Sequence, residues 1–259
     1  MVHSRTDIEL NLMRQSGKIA AAALKIALDY TKEGASGLEI DKLVTDKIYS
    51  LGGDLSYKTV SGYKWATCIT VNEQVVHGIP TDRKLVKGDL LSIDLAVSLH
   101  GWHTDVAWSV IVGGEGEKNK NKQSFSASNF LKVGEEALWL GIKQAIDGNT
   151  IGDISNAIQT KVENEGYHIV RTLVGHGIGK KLHEDPEVPG FGIAGTGLIL
   201  QAGMTLAIEV IYTEGTPNVV LSDDKWTYCS ADGSLGGLFE MTVVVGKEKA
   251  EVLTDWRKV

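Results

Sequence analysis

The sequence has 259 residues, of which 42% are hydrophobic and 23% are charged, and its formal net charge is −7. This apolar content suffices for a folded core, while the negative charge argues against a specific nucleic-acid or anionic-membrane partner. Two cysteines rule out a disulfide framework, and charged residues interrupt every apolar run before a membrane span or signal-peptide core is reached, so we expect a cytoplasmic protein.

Helix and strand patterns follow one another along the chain. Capping boxes begin at Thr6 and Ser36, and apolar residues at helical spacing follow each, which predicts two helices. Apolar and polar residues alternate over 85–113, and this period of two predicts strands. A polar segment without periodicity, 115–126, predicts a solvated connection. The order then restarts with a helix predicted over about 127–146, a second helix, and further strands.

The restart has the form of an internal duplication, although chance similarity between two α/β segments is the alternative. Similar residues recur at a nearly constant offset of 114 or 115. The pairs include Gly34 with Gly148, Gly52 with Gly166, Gly88 with Gly203, and Asp94 with Glu209. We therefore predict a single domain over 1–259 with two halves, about 1–114 and 127–259, facing each other across a pseudo-twofold axis. That axis would bring Asp94 and Glu209 together at the centre.

Four acidic residues lie in apolar, strand-like runs: Asp94, Asp105, Glu209 and Glu240. Acidic residues are depleted in strands and are rarely buried unpaired, because desolvating an ionised carboxylate is costly. These runs contain no Lys or Arg, so a bound metal is the simplest source of compensating positive charge. For any single acid, the alternative is a solvent-facing position on the polar side of an antiparallel strand.

Three histidines lie in loops marked by glycine or proline: His77, His176 and His183. An exposed, inert side chain is the alternative for any loop histidine. His176 is flanked by Gly175 and Gly177, and flanking glycines allow close backbone approach while the ring projects freely. This arrangement favours a functional role for His176.

Several short motifs in this order resemble those of the type I methionine aminopeptidases. They are Asn72-Glu73, His77-Gly78-Ile79-Pro80, Gly175-His176-Gly177-Ile178-Gly179 and His183-Glu184. The resemblance covers essentially the whole chain. It implies the α+β pita-bread fold shared with creatinase and prolidase, in which two pseudo-twofold-related halves surround a central curved antiparallel sheet. It also implies removal of the initiator methionine from nascent proteins.

The resemblance further implies a dinuclear metal site. Its ligands would be Asp94, Asp105, His176, Glu209 and Glu240, with Asp105 and Glu240 bridging two divalent ions, Co, Mn, Fe or Zn. Four oxygen donors and one nitrogen favour Mn, Fe or Co over a structural zinc. Two such ions share a water and lower its pKa, so that a bridging hydroxide would attack the scissile carbonyl. Glu209 would carry a proton to the leaving amine.

The same resemblance implies the substrate contacts. His77 and His183 would hydrogen-bond the scissile carbonyl oxygen or the adjacent amide, and Tyr63, Cys68 and Trp226 would form the methionine pocket. For Tyr63 and Trp226, an ordinary core or rim aromatic is an equally good interpretation. The implied partners are N-terminal Met peptides of nascent chains and, transiently, the ribosome, with the chain acting as a monomer.

Three positions depart from the family pattern: Leu182 replaces Phe, Val210 replaces Pro, and Met241 replaces His. None is a predicted ligand. We expect Leu182 and Met241 to lie beside the site, where they would alter substrate preference or turnover. Two alternative functions remain at this point, namely a pita-bread peptidase that cleaves before proline and a non-catalytic binding module of the same fold.

Overall fold

This computed structural model describes residues 4–114 and 123–259, which form helices and antiparallel strands joined by turns and loops. The helices are α1 (Asp7–Tyr30), α2 (Gly37–Ser50), α3 (Gln123–Gln144) and α4 (Ile151–Asn164). The strands are β1 (Asp54–Leu55), β2 (Thr67–Val71), β3 (Gln74–Val76), β4 (Leu90–Leu99), β5 (Trp102–Ile111), β6 (His168–Ile169), β7 (Gly175–Gly177), β8 (Glu184–Val188), β9 (Thr205–Thr213), β10 (Val219–Leu221), β11 (Tyr228–Ser230), β12 (Gly236–Val244) and β13 (Glu251–Val252). Among the described helices, none combines the length and apolar character needed to cross a membrane.

Capping boxes start three of the helices. Thr6 caps α1 and Ser36 caps α2, as predicted, and Thr150 caps α4 in the same way. In each case the hydroxyl of the capping residue accepts a hydrogen bond from the main-chain N–H of the residue three positions later. The acidic side chain of that later residue accepts a hydrogen bond from the main-chain N–H of the capping residue. Both bonds satisfy N–H groups that the start of a helix leaves unpaired. Helices α2 and α4 have 14 residues each, and their ends differ by the predicted offset of 114.

Helix α3 begins earlier than predicted. The helix starts at Gln123 rather than near Ala127, so the last four residues of the predicted connection, 115–126, belong to it. The rest of that prediction, residues 115–122, lies outside the described residues. Polar residues are common in the first turn of a helix, because their side chains bond its free N–H groups, and polarity alone therefore misplaced the boundary.

The two halves meet in one antiparallel sheet with the strand order β1-β4-β5-β12-β9-β7-β8. Helix α1 packs on β4 and β5, and α3 packs on β9 and β12, while α2 packs against α1 and α4 packs against α3. The central pair is β5 with β12. Asp94 on β4 and Glu209 on β9 therefore lie on either side of this central pair, with two strands between them, and both line the same central cavity.

Alternation along the strands separates two faces of the sheet. Leu91, Ile93 and Leu95 of β4 pack in the large apolar cluster that also contains helix residues, so Asp94 projects from the opposite face. Val210 and Met241 belong to the same helix-facing cluster and are fully buried. The expectation that Met241 lies beside the site is wrong, because a residue next to Glu240 along a strand faces the other way.

Candidate metal centre

The register of the four central strands aligns three acidic residues in one row. Asp94 on β4 lies opposite Ala107 on β5, which lies opposite Glu240 on β12, which in turn lies opposite Glu209 on β9. Directly opposed residues project from the same face of a sheet. Asp105 is two residues from Ala107 along β5 and shares that face. The small Ala107 side chain leaves room between the carboxylates.

His176 enters the row from β7, where it lies opposite Ala207, two residues from Glu209 on β9. Its Nε2 is 3.6 Å from Glu209 Oε1. Its Nδ1 is 2.9 Å from the main-chain oxygen of Gly177; a carbonyl only accepts, so Nδ1 carries the proton and the neutral ring presents the Nε2 lone pair. Burial and nearby His183 lower the pKa of His176 to about 4.

Glycines make the approach of β7 possible. A Cβ at Gly175 would lie 2.5 Å from the main-chain oxygen of Ala207, and one at Gly177 would lie 2.2 Å from that of Asp185. Any side chain at either position would push β7 away from its neighbouring strands. The flanking glycines noted in the sequence thus bring the His176 main chain close to the acidic row.

All ten residues singled out in the sequence line one cavity of about 120 Å³. They are Tyr63, Cys68, His77, Asp94, Asp105, His176, His183, Glu209, Trp226 and Glu240. Within this set, Asp105, His176 and Glu240 each offer a ligand atom, and these atoms lie within 4.8 Å of one another. The described residues that line the cavity include no Lys or Arg.

Burial raises the pKa of all four carboxyls, and the charges of neighbouring carboxylates add to this effect for Asp105, Glu209 and Glu240. Burial raises the pKa of Asp94 to about 7. Burial, followed by the charges of neighbouring carboxylates, raises the pKa values of Asp105, Glu209 and Glu240 well above their ordinary range. Like charges in a desolvated site oppose each other's ionisation. The cluster therefore lacks sufficient positive charge from the protein itself.

One oxygen of the cluster has no partner. Glu240 is 3% exposed, and its buried Oε1 makes no hydrogen bond. A buried acceptor without a partner is costly and calls for an explanation. Carboxylate oxygens and a neutral imidazole are the donors that divalent first-row metals take. The residues present therefore fit a divalent metal, with Glu240 Oε1 as one of its donors.

Two further histidines face the same cavity from loops. His77 follows β3 with a positive φ of 58°, a conformation that costs energy for a residue with a side chain. Gly78 is tightly enclosed, since a Cβ there would lie 2.1 Å from the main-chain oxygen of Ile69. The His183 ring lies against the His176 ring, with 4.4 Å between centroids. Burial lowers the pKa of both His77 and His183.

The apolar side of the cavity is aromatic. Tyr63 and Trp226 meet edge to face with ring centroids 5.0 Å apart. Cys68, on β2, lies opposite Asp94 on β4. Leu182 is buried in the same apolar cluster as Tyr63 and Cys68. A wider cleft of about 910 Å³ shares the histidines of the cavity and leads to solvent.

Tyr57 is a cavity residue that the sequence patterns did not identify. It lies in the short 3-10 helix Ser56–Thr59 after β1. Its hydroxyl donates to Asp94 Oδ1 at 2.5 Å and lies 3.4 Å from Asp105 Oδ1. No local pattern marks Tyr57, because its contacts join residues 37 and 48 positions away in the chain.

Comparison with known proteins agrees with this architecture. The model of metallopeptidase family M24 matches residues 11–247. A methionine aminopeptidase from Clostridium perfringens is 40% identical over 98% of this chain and 99% of its own length. Methionine aminopeptidase 1 from Bacillus subtilis is 38% identical with the same coverage.

Solved structures give the same grouping. A methionine aminopeptidase from Thermotoga maritima is 37% identical and superposes with a TM-score of 0.92, covering 98% of this chain and 99% of that one. A prolidase from Pyrococcus furiosus has a TM-score of 0.73 at 21% identity, covering 97% of this chain and 65% of that one, and shows only that the pita-bread fold is shared. The chain belongs to metallopeptidase family M24 and, within it, to the methionine aminopeptidases.

Proposed function

We propose that the cavity is a dinuclear metal site at which this aminopeptidase removes the N-terminal methionine of nascent proteins. The observation that carries the proposal is the unpartnered, buried Glu240 Oε1 within a cluster of carboxyls that all have raised pKa values. Membership of a metallopeptidase family accounts for divalent metal use.

The order of the row supports a division of the ligands. Asp94 and Glu209 lie at the two ends, and Glu240 lies between them with Asp105 on the same face. We assign Asp94 to one ion, His176 and Glu209 to the other, and the carboxylates of Asp105 and Glu240 to both. Divalent ions held there would polarise the scissile carbonyl and supply a nucleophilic water at neutral pH.

The protein's own groups would orient the substrate and move its protons. His77 and His183 are neutral at pH 7 because burial lowers their pKa, so each offers an N–H to the carbonyl oxygen or adjacent amide as negative charge develops. The Glu209 carboxylate would hold the proton released by the attacking water and pass it to the leaving amine. Tyr63, Cys68 and Trp226 would enclose the methionine side chain and exclude water.

The direct test measures release of methionine from Met-Ala-Ser after chelator treatment and dialysis. We expect no activity in the dialysed protein, and recovery on addition of Mn²⁺, Fe²⁺ or Co²⁺, with saturation near two equivalents. Ala-Pro-Ser serves as the matched substrate and should not be cleaved. Release from the proline peptide alone would indicate the other pita-bread specificity, and binding without cleavage at any metal would indicate a binding module.

We place this activity in the cytoplasm, on a monomeric enzyme that acts on nascent chains through a transient contact with the ribosome. The wide cleft beside the cavity supports action on long chains, because it offers room for the residues that follow the methionine. Cell fractionation, sedimentation of the purified protein and co-sedimentation with ribosomes would test the three statements separately.

Replacing Tyr57 with Phe should weaken metal binding roughly tenfold, since partners that orient ligand carboxylates typically contribute 10- to 100-fold in affinity. The hydroxyl that donates to Asp94 would be lost while the ring remains. Calorimetric titration of chelator-treated protein with Mn²⁺ measures the effect. Tyr212→Phe is the matched control, because it removes another fully buried hydroxyl, bonded to the Phe130 main-chain oxygen at 2.6 Å, within the helix-facing core. Equal Mn²⁺ affinity in the two variants would contradict the prediction.

A further inference from the structure

Arg5, two residues before α1, reaches into the second half of the chain. Its guanidinium forms an ion pair with Glu184, and its Nη2 donates to the Ile178 main-chain oxygen at 3.3 Å. Its Nε donates to Thr205 Oγ1 at 3.2 Å. The Arg5 side chain is only 10% exposed. An arginine with this many buried partners is held in one position.

The surroundings are shaped to take the guanidinium. A Cβ at Gly179 would lie 2.4 Å from Arg5 Nη2, so the missing side chain provides the space. The Trp102 ring covers the cation at 5.5 Å from its centroid. The Arg5 main-chain N–H also donates to the Gly203 oxygen at 2.9 Å. Side chain and main chain together fasten the segment before α1 to the second half.

The partner of Arg5 closes the turn that carries His183. Glu184 uses Oε2 for Arg5 and accepts the Lys181 main-chain N–H with Oε1 at 2.8 Å. Lys181 and Glu184 thus bracket Leu182 and His183 in a tight turn. The His183 ring at its tip faces the cavity. A displacement of the Glu184 carboxylate would therefore shift the imidazole.

We propose that Arg5 is a positioning residue that holds the 181–184 turn, and with it His183, in the geometry that the reaction requires. The inference rests on the role proposed above for His183. Arg5 would act through Glu184 and the turn, without touching the substrate. A displacement of about an ångström at a reacting group lowers a rate by up to roughly 100-fold. The Arg5–Glu184 ion pair therefore affects the reaction rate although neither residue contacts the substrate.

Steady-state kinetics of Arg5→Met with Met-Ala-Ser test the proposal. We expect kcat to fall roughly 10- to 100-fold while KM stays within about twofold, the pattern for loss of an interaction made in the transition state. Mn²⁺ affinity should be unchanged. Arg14→Met is the matched control, since Arg14 pairs with Glu251 at 2.6 Å on the surface, with 39% and 45% of the two side chains exposed, and its kinetics should match the wild type.

A double-mutant cycle separates positioning from a general structural effect. In a His183→Ala background, Arg5→Met should have little further effect on kcat, because groups that act through one another are not additive. Additive losses, or a raised KM with unchanged kcat, would overturn the proposal. Glu184→Gln, which keeps an acceptor for Lys181, provides a second route if Arg5→Met does not fold, and the same kcat loss is expected. Full activity of His183→Ala would refute the role of His183 itself and leave the metal site untouched.

Discussion

Glu240→Gln is expected to abolish tight metal binding and to lower methionine release by more than about 100-fold, the range that loss of a partner outside the ligand set already reaches. Glu240 occupies the middle of the acidic row, opposite Glu209 and next to β5. The substitution removes a charge that the ions would share and turns one donor oxygen into an amide N–H₂. Metal analysis by mass spectrometry and calorimetric titration with Mn²⁺ measure the loss.

The same variant should make the metal-free protein more stable. Burial and the charges of Asp105, Glu209 and Asp94 raise the Glu240 pKa, so removing the ionisable group relieves repulsion. Asp89→Asn is the matched control: burial raises the Asp89 pKa, but Arg83 and the Val86 N–H outweigh burial and lower it overall. Asp89→Asn should therefore lose stability at pH 7 and keep its metal affinity. Two bound ions and full activity in Glu240→Gln would refute the assignment of Glu240.

Chelator-treated protein should lose several kcal/mol of unfolding free energy from this cluster as pH rises from about 4 to above 7. A carboxyl whose pKa is raised by folding contributes stability that is fully present below the unfolded pKa, near 4, and is lost as pH rises through the folded pKa. For Asp94 the folded pKa is about 7, and Asp105, Glu209 and Glu240 shift in the same direction.

Surface acids with lowered pKa values, such as Glu39 and Asp153, change the stability in the opposite direction as the pH rises. We therefore compare the unfolding free energy of Mn²⁺-loaded protein with that of metal-free protein at each pH, since the surface acids contribute equally to both. Urea unfolding at pH 5, 6, 7 and 8 should show the gap between Mn²⁺-loaded and metal-free protein widening with pH. The gap should be smaller in Glu240→Gln at every pH. A gap that is constant from pH 5 to 8 would contradict the electrostatic account of the cluster.

Local patterns in the sequence predicted much of the fold. The capping boxes at Thr6 and Ser36 and the period of two over 85–113 depend only on neighbours within a few residues, and the structure confirms these helices and strands. The 114-residue offset between α2 and α4 depends on a repeat, which is equally visible in one dimension. Polarity over 115–126 was a weaker guide, and α3 begins inside that segment.

The candidate site could be predicted from the sequence in so far as it consists of acidic residues within apolar strands. Asp94, Asp105, Glu209 and Glu240 interrupt apolar strands, and an unpaired acid in such a place is costly wherever the strand lies. The loops marked by glycine or proline pointed to His77 and His183, and the resemblance to the aminopeptidases added their substrate roles and the pocket residues. Their roles stay predictions until the variants described above are measured.

The sequence by itself therefore determined most of the candidate site residues, because charge, alternation and caps are properties of short segments. Only the tertiary structure decided which of them face each other. The pairing of β5 with β12, which places Ala107 opposite Glu240, joins residues more than 130 positions apart, and sequence periodicity does not specify the register between distant strands. Tertiary structure likewise brings Tyr57 to Asp94, 37 positions away within the first half. It also brings Arg5 to Glu184, a contact that exists only once the two halves have packed together.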